Sequence, residues 1–262
     1  MLENNNIIIK EDSNGIKYLQ FKRLLNYGIK HAYTLKKEGI DFSFNQDMHD
    51  ISYEKLAESL DIDRNIIVEP IQTHTDRVCV LDEIKTSEEL NDVDGLITNK
   101  TNIAITSKNA DCILFFFYDP VKKVIANVHS GWKGTFKKIV IKTVEKMINE
   151  FECRVSDIEC FISPSIRKCH FEVDSYVKEM CEEIFSDYDF SEIITLGEIK
   201  ENKQKYMIDT VLINKQCLLR LGIKEENIID SNLCSVCHKD EIHSARAEGE
   251  GFQRETAIIV LE

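Results

Sequence analysis

Proline is scarce in this chain, with three in 262 residues, and tryptophan occurs once. No stretch rich in Ser, Pro and Gly reads as a linker, and no short-period repeat is present. No apolar run approaches the roughly 18 residues that a membrane span needs; the most apolar, "CILFFFY", has the length of a buried strand. The N-terminal "MLENNNIIIKED" lacks a basic segment followed by a long apolar one, so a cytoplasmic location is expected. Positive charge is also short. The 33 Lys and Arg residues face 46 Asp and Glu, a net charge of −13. A nucleic-acid backbone is bound by clustered cations, so neither nucleic acid nor membrane is an expected partner.

Cysteine, by contrast, is plentiful. Nine in a chain without an export signal read as reduced thiols or ligands rather than a disulfide framework. Cys153, Cys160, Cys181 and Cys217 lie in apolar-periodic stretches and read as small buried hydrophobes.

The pattern of apolar residues predicts one mixed α/β domain over residues 1–262. It opens with a hairpin at about 6–21, turning at Asn14-Gly15. A helix follows over "DISYEKLAESLDI", capped by Asp50 or Ser52. Short strands crowd the middle: "IIVEPI", "RVCVL", "GLIT", "NIAITS", "CILFFFY" and "KVIANVH". Phe136, Ile139, Val140, Val144, Met147, Ile148 and Phe151 recur at helical spacing, predicting a helix from Gly134 or Thr135. Strands at "IECFIS", "YMI" and "AIIVL" then alternate with helices at "DSYVKEMCEEIF" and "DTVLINKQCLLRLG".

Three strand ends carry groups capable of chemistry: Gln72 and His74 before one strand, Asp111 and Cys112 before another, and His129 closing a third. A Cys and two His converging in space form a borderline-soft set suited to Zn²⁺, with one tetrahedral position open. The same atoms fit a thiolate–imidazolium pair, with Asp111 or Asp94 orienting the base. Both readings compete with a blander one, in which the cysteine is core and each histidine caps a turn. The stretch "HSGWKG" is similarly divided. Gly131 and Gly134 serve either a tight turn under a core Trp132 or a close backbone approach to an anion at a helix N-terminus, with Lys133 adding charge. "CSVCH", Cys234 to His238, matches a haem-attachment pattern but reads as a coincidence in a chain without an export signal. As a zinc site it would need two more ligands, for which His238 and His243 are the nearby candidates.

Taken together, "QTHTDRV", "DVDGLIT", "NADC", "HSGWKGT", "SPSIRKCHFEV" and "HSARAEGEGFQRETAIIVL" resemble, in this order, the YfiH-type purine nucleoside phosphorylases, formerly labelled multicopper polyphenol oxidases or laccase-domain proteins. The resemblance spans roughly residues 25 to 262. It implies a layered α/β/β/α sandwich with mixed sheets, and a catalytic zinc on His74, Cys112 and His129. It also implies phosphorolysis of inosine, adenosine and methylthioadenosine, and deamination of adenosine. Purine nucleosides and phosphate are then the expected partners of a monomer or small homo-oligomer. Lys36, Gly131, Lys133, Arg246 and Arg254 are the candidates for holding phosphate or substrate, and Asp111 for supporting the ligands. The chain departs from the family pattern at Lys36, where an arginine is common, at Leu114 for a proline, at Ala247 for a second arginine, and at Gln253. The alternatives are a copper-dependent polyphenol oxidase, with Cu²⁺ in place of Zn²⁺, a Cys–His hydrolase, and a non-catalytic metal-binding module. The seven histidines include no H-x-H pair of the kind multicopper oxidases use.

Overall fold

"ILFFFYD", the strand Ile113–Asp119, is buried along its whole length and sorts its side chains by parity. Ile113, Phe115 and Phe117 enter one hydrophobic cluster, whereas Leu114, Phe116 and Tyr118 enter another. Successive strand side chains point to opposite faces, so an unbroken apolar run requires both faces of its sheet to be covered. That requirement sets the architecture. A computed structural model describes residues 2–13, 15–44 and 48–262.

Two six-stranded sheets lie face to face. The first runs in the order Ile7–Glu11, Lys17–Phe21, Lys30–Thr34, Glu255–Val260, Ala104–Asn109, Ile67–Val68. The second runs Ile228–Asp230, Glu159–Ile162, Ile113–Asp119, Val124–Ser130, Gly95–Thr98, Val78–Val80. Both are mixed: Ile67–Val68, Val78–Val80 and Ile228–Asp230 each pair in parallel with their neighbours, and the other pairs are antiparallel. Between the sheets, Leu19, Tyr33, Ile105 and Ile259 meet Leu114, Phe116 and Ile125. Polar side chains also bridge this layer: Asn127 donates to the Ile105 and Ala257 carbonyls at 3.0 and 2.9 Å and accepts from Ser107 Oγ.

Helices cover the outer faces. Helix Ile139–Phe151 buries Ile139, Val140, Thr143, Val144 and Met147, a single stripe, against Phe115, Phe117 and Val128 of the second sheet. Helix Thr210–Leu221 shares that layer; the Asp209 side chain caps it by accepting from Leu212 N at 2.8 Å, and Gly222 ends it at φ 106°. Across the molecule, helix His49–Leu60 sets Tyr53, Leu56, Ala57 and Leu60 on Tyr18, Ala32, Ile258 and Val260 of the first sheet. The layers are therefore α/β/β/α.

Several local expectations need correction. The helix expected to be capped by Asp50 or Ser52 starts at His49, so both residues lie inside its first turns. The helix expected from Gly134 or Thr135 is two helices. A five-residue one, Trp132–Phe136, begins directly after Gly131, and a longer one starts at Ile139 beyond Lys138, whose φ of 59° breaks the run. "YMI" is the end of strand Lys203–Ile208, the centre of a small three-stranded sheet with Glu172–Val173 and Ile194–Lys200. Lys17–Phe21 pairs antiparallel with Ile7–Glu11, Ile7 opposite Phe21; Asn14 of the connecting turn lies outside the described residues.

Candidate active site

The strands Ile113–Asp119 and Val124–Ser130 are antiparallel neighbours, with Ile113 opposite Ser130 and Leu114 opposite His129. The start of one therefore adjoins the end of the other. Cys112 precedes the first, and His129 lies at the end of the second. Strand Gly95–Thr98 flanks Val124–Ser130 on its other side, so Asp94 arrives next to His129, whose N–H donates to the Asp94 carbonyl at 2.7 Å. His74 comes from the loop leading into Val78–Val80. Register thus brings Cys112, His129 and Asp94 together, and hydrogen bonds to Asp94 bring the loop residue His74 to them.

Their ligand atoms lie within 4.8 Å of one another, and Cys112 Sγ stands 3.7 Å from His74 Nε2. That spacing fits two corners of a tetrahedron around a zinc ion, about 3.5 Å for Zn–S and Zn–N bonds near 2.3 and 2.0 Å. His129 Nδ1 lies 2.7 Å from Asp94 Oδ1, which fixes the tautomer and leaves Nε2 free to ligate. A metal can be held here by His74, Cys112 and His129.

Gly131 answers to space, not to dihedral angle. Its φ of −68° suits any residue, but a Cβ there would lie 2.7 Å from His74 Cδ2 and 3.1 Å from Cys112 Sγ. A side chain and the cluster cannot share that position. Gly134 likewise has no positive φ, and the helix it belongs to is too short to gather a useful dipole.

Asp94 organises the cluster. Its carboxylate accepts from His74 N at 3.1 Å, from Thr75 N and Thr75 Oγ1 at 2.6 Å, and from His129. These bonds turn the backbone so sharply that His74 sits at φ 63°, a left-handed conformation that side chains other than glycine seldom adopt. Burial works to raise the Asp94 carboxyl, but His129 and Thr75 outweigh it and hold it below the ordinary range. The same balance acts on its neighbours. Burial opposes the Cys112 thiolate, yet the charge of His129 brings it down to about 6. Burial opposes the His129 imidazolium, yet Cys112 and Asp94 raise it to about 9.

The cluster forms the floor of a cavity of about 580 Å³. Phe44, Trp132, Phe171 and Phe252 line it, as do the cationic Lys108, Arg246 and Arg254. Lys108 is buried, stands 3.2 Å from Glu69 Oε2 and places its amine 3.1 Å over the Phe44 ring. Burial lowers its amine to about 8 against the attraction of Glu69. Gln72 fixes the strand beneath, accepting from Lys108 N at 2.7 Å and donating to Lys108 O at 2.9 Å.

The five anion-binding candidates divide. Gly131, Arg246 and Arg254 line the cavity. Lys36 is paired with Glu248 at 3.2 Å, and Lys133 is exposed above the Trp132 ring; neither is among the lining residues. Asp111 lies beside Cys112, but φ 83° turns its carboxylate away, toward Ser235 Oγ at 2.5 Å and Arg246 N at 2.7 Å. The carboxylate against the ligands is that of Asp94. At Leu114, the departure from proline is used: its N–H donates to Ser163 Oγ at 2.9 Å, a bond proline could not make. No sequence motif marks Lys108 or Phe44; a lysine inside the buried strand "AITSKN" is the one signal for the first.

A second cluster corrects the sequence reading of "CSVCH". Cys234 and Cys237 do not stand alone, and the groups that join them are Cys169 and His170, not His238 or His243. His243 instead packs Nδ1 against Glu248 at 3.1 Å.

The model of the family described as multi-copper polyphenol oxidoreductase laccase matches residues 45–262. A purine nucleoside phosphorylase of Clostridium acetobutylicum is 35% identical over 193 residues, 72% of this chain and 74% of its own. An adenosine deaminase from an unknown prokaryotic organism is 31% identical over 201 residues, 74% of each chain. The crystal structure of a hypothetical protein, YfiH of Bacillus licheniformis, superposes with a TM-score of 0.85 at 24% identity, over 97% of this chain and 99% of that one, a match of fold. The chain belongs to the multi-copper polyphenol oxidoreductase laccase family, the YfiH-type proteins. Among the described residues, no helix is long and apolar enough to cross a membrane.

Proposed function

We propose that this protein is a zinc-dependent purine nucleoside phosphorylase that cleaves inosine, adenosine and methylthioadenosine with phosphate, and that it also deaminates adenosine. One observation carries the reading: His74, Cys112 and His129 converge on the floor of a cavity with aromatic walls and three cationic side chains. The relatives named for these two activities support it.

His74, Cys112 and His129 would hold the zinc ion, which would supply Lewis-acid chemistry at the cavity floor. The rest falls to the protein. Trp132, Phe44, Phe171 and Phe252 offer flat apolar faces to a purine. Lys108, Arg246 and Arg254 offset the charge of phosphate. In phosphorolysis a phosphate oxygen bonds to the anomeric carbon while the glycosidic C–N bond breaks. Its electron pair leaves with the base, which takes up a proton. In deamination a water oxygen adds to the ring carbon bearing the amino group, and ammonia departs. Asp94 keeps the His129 ring in one orientation throughout.

The test is turnover of adenosine and inosine by metal-quantified protein, with and without phosphate. Free base formed only with phosphate, and lost in His129→Ala, supports the phosphorylase; inosine formed from adenosine without phosphate supports the deaminase. Zinc-replete protein that yields neither product overturns the proposal. The run Asp94–His129–Cys112 favours a second reading, a Cys–His hydrolase. Hydrolysis that survives chelation of all metal, and is abolished by alkylating Cys112, would select it.

A further inference from the structure

We propose that Cys169, His170, Cys234 and Cys237 form a second zinc site, closed and structural, which holds one wall of the cavity in place. It goes beyond the nucleoside reading and does not depend on it. Cys169 Sγ lies 3.6 Å from Cys234 Sγ and 3.9 Å from Cys237 Sγ. His170 Nδ1 lies 3.2, 3.5 and 3.6 Å from the sulfurs of Cys169, Cys234 and Cys237. A tetrahedron with Zn–S and Zn–N bonds near 2.3 and 2.0 Å has S···S edges of about 3.8 Å and S···N edges of about 3.5 Å. Five edges of the cluster therefore approximate the zinc tetrahedron. None approaches the roughly 2.05 Å of a disulfide, and all four residues are within reach of one centre.

The backbone around the four donors is already assembled. Ser165 and Cys234 form a parallel bridge, with Ser165 N donating to Leu233 O at 3.2 Å and Ser235 N donating to Ser165 O at 3.0 Å. Arg167 clamps the same two segments, donating to Leu233 O at 3.1 Å and pairing with Asp230 at 2.8 Å. Two tight turns then supply the ligands: Cys169 and His170 as neighbours, and Cys234 with Cys237 across a turn in which His238 N reaches Cys234 O. Three thiolates and one imidazole select zinc over harder cations, and four protein ligands leave no position for substrate.

The site reaches the cavity through its neighbours. The His170 carbonyl accepts from the Arg246 guanidinium at 2.8 Å, and Ser235, between the two cysteines, donates to Asp111, which holds Arg246 N. Ile166, Phe171 and Arg246 of this wall line the cavity.

The experiment counts zinc in the full-length protein after reconstitution and desalting. Cys112→Ala removes a ligand from the first site, so any tightly held zinc left in that variant reports the second alone. Cys112→Ala is expected to keep one equivalent and to lose it when Cys234→Ser and Cys237→Ser are added. Cobalt loaded into Cys112→Ala is expected to give the intense spectrum of tetrahedral thiolate coordination. If the serine variants do not fold, Cys237→His, which preserves four ligands, is expected to fold and to keep the equivalent. A Cys112→Ala protein that folds but binds no zinc, or a disulfide among these cysteines in place of zinc in protein purified under reducing conditions, overturns the proposal.

Discussion

The two thiol–imidazole clusters are built from the same donors in different settings. His74, Cys112 and His129 number three, and His129 is buried at the end of a central strand with a carboxylate against its far nitrogen. Cys169, His170, Cys234 and Cys237 number four, come from two turns, and include two exposed members. The first opens onto a cavity with aromatic and cationic walls; the second knits two segments of chain together. Donor type is shared by the two clusters; the number of protein ligands and the presence of an orienting carboxylate are what differ.

Four measurements would break or sharpen that contrast. The largest effect is expected from Cys112→Ala, which should lower nucleoside turnover by about 100- to 1,000-fold, the loss that follows removal of one group that stabilises a transition state. Residual turnover near the wild-type level would make the first cluster a clip as well. Gly131→Ala comes next. The new methyl would crowd His74 and Cys112, so zinc affinity at the first site should fall by more than about tenfold while the melting temperature barely moves. Equilibrium zinc competition and thermal melting on one sample read both. Asp94→Asn keeps the shape but weakens the acceptor facing His129, and a loss of about 10- to 100-fold in metal affinity is expected. An unchanged affinity would remove the carboxylate from the distinction between the clusters.

The smallest effect concerns pH. Lys108, lowered to about 8 by burial, is charged below that value and neutral above it. Phosphate should therefore bind less well as pH rises through about 8, seen as a rising KM for phosphate, and Lys108→Arg should flatten the rise. For folding the sign is opposite. Between the folded value and the ordinary lysine value of about 10.4, the unfolded chain binds more protons, so this group's contribution to stability increases with pH.

Most of the layered fold is written in side-chain parity. The seven buried positions of Ile113–Asp119 demand two cores, and the stripe on Ile139–Phe151 supplies the cover for one of them. The pairing of Ile194–Lys200 with Lys203–Ile208 is not legible in the sequence because its side chains are mostly solvated; Leu196 and Ile199 are 74% and 71% exposed, so apolar content there marks no core. The candidate site divides in the same way. His74, Cys112 and His129 stand out by residue type, but only strand register and a loop tied to Asp94 bring them together. Asp111 looked like their support because it adjoins Cys112 in sequence, and a left-handed backbone turns it elsewhere. Cys169 and His170 could not be matched with Cys234 and Cys237 by spacing, since the bridge at Ser165 that joins them is long-range.

His74 sits in a loop and is exposed, whereas Cys112 and His129 stand at the ends of central strands of the second sheet. Two ligands are thus built on the sheet, and the third is built on a loop that Asp94 holds through His74 N and Thr75. A metal held there would be tied to the second sheet by two ligands and to a loop by the third.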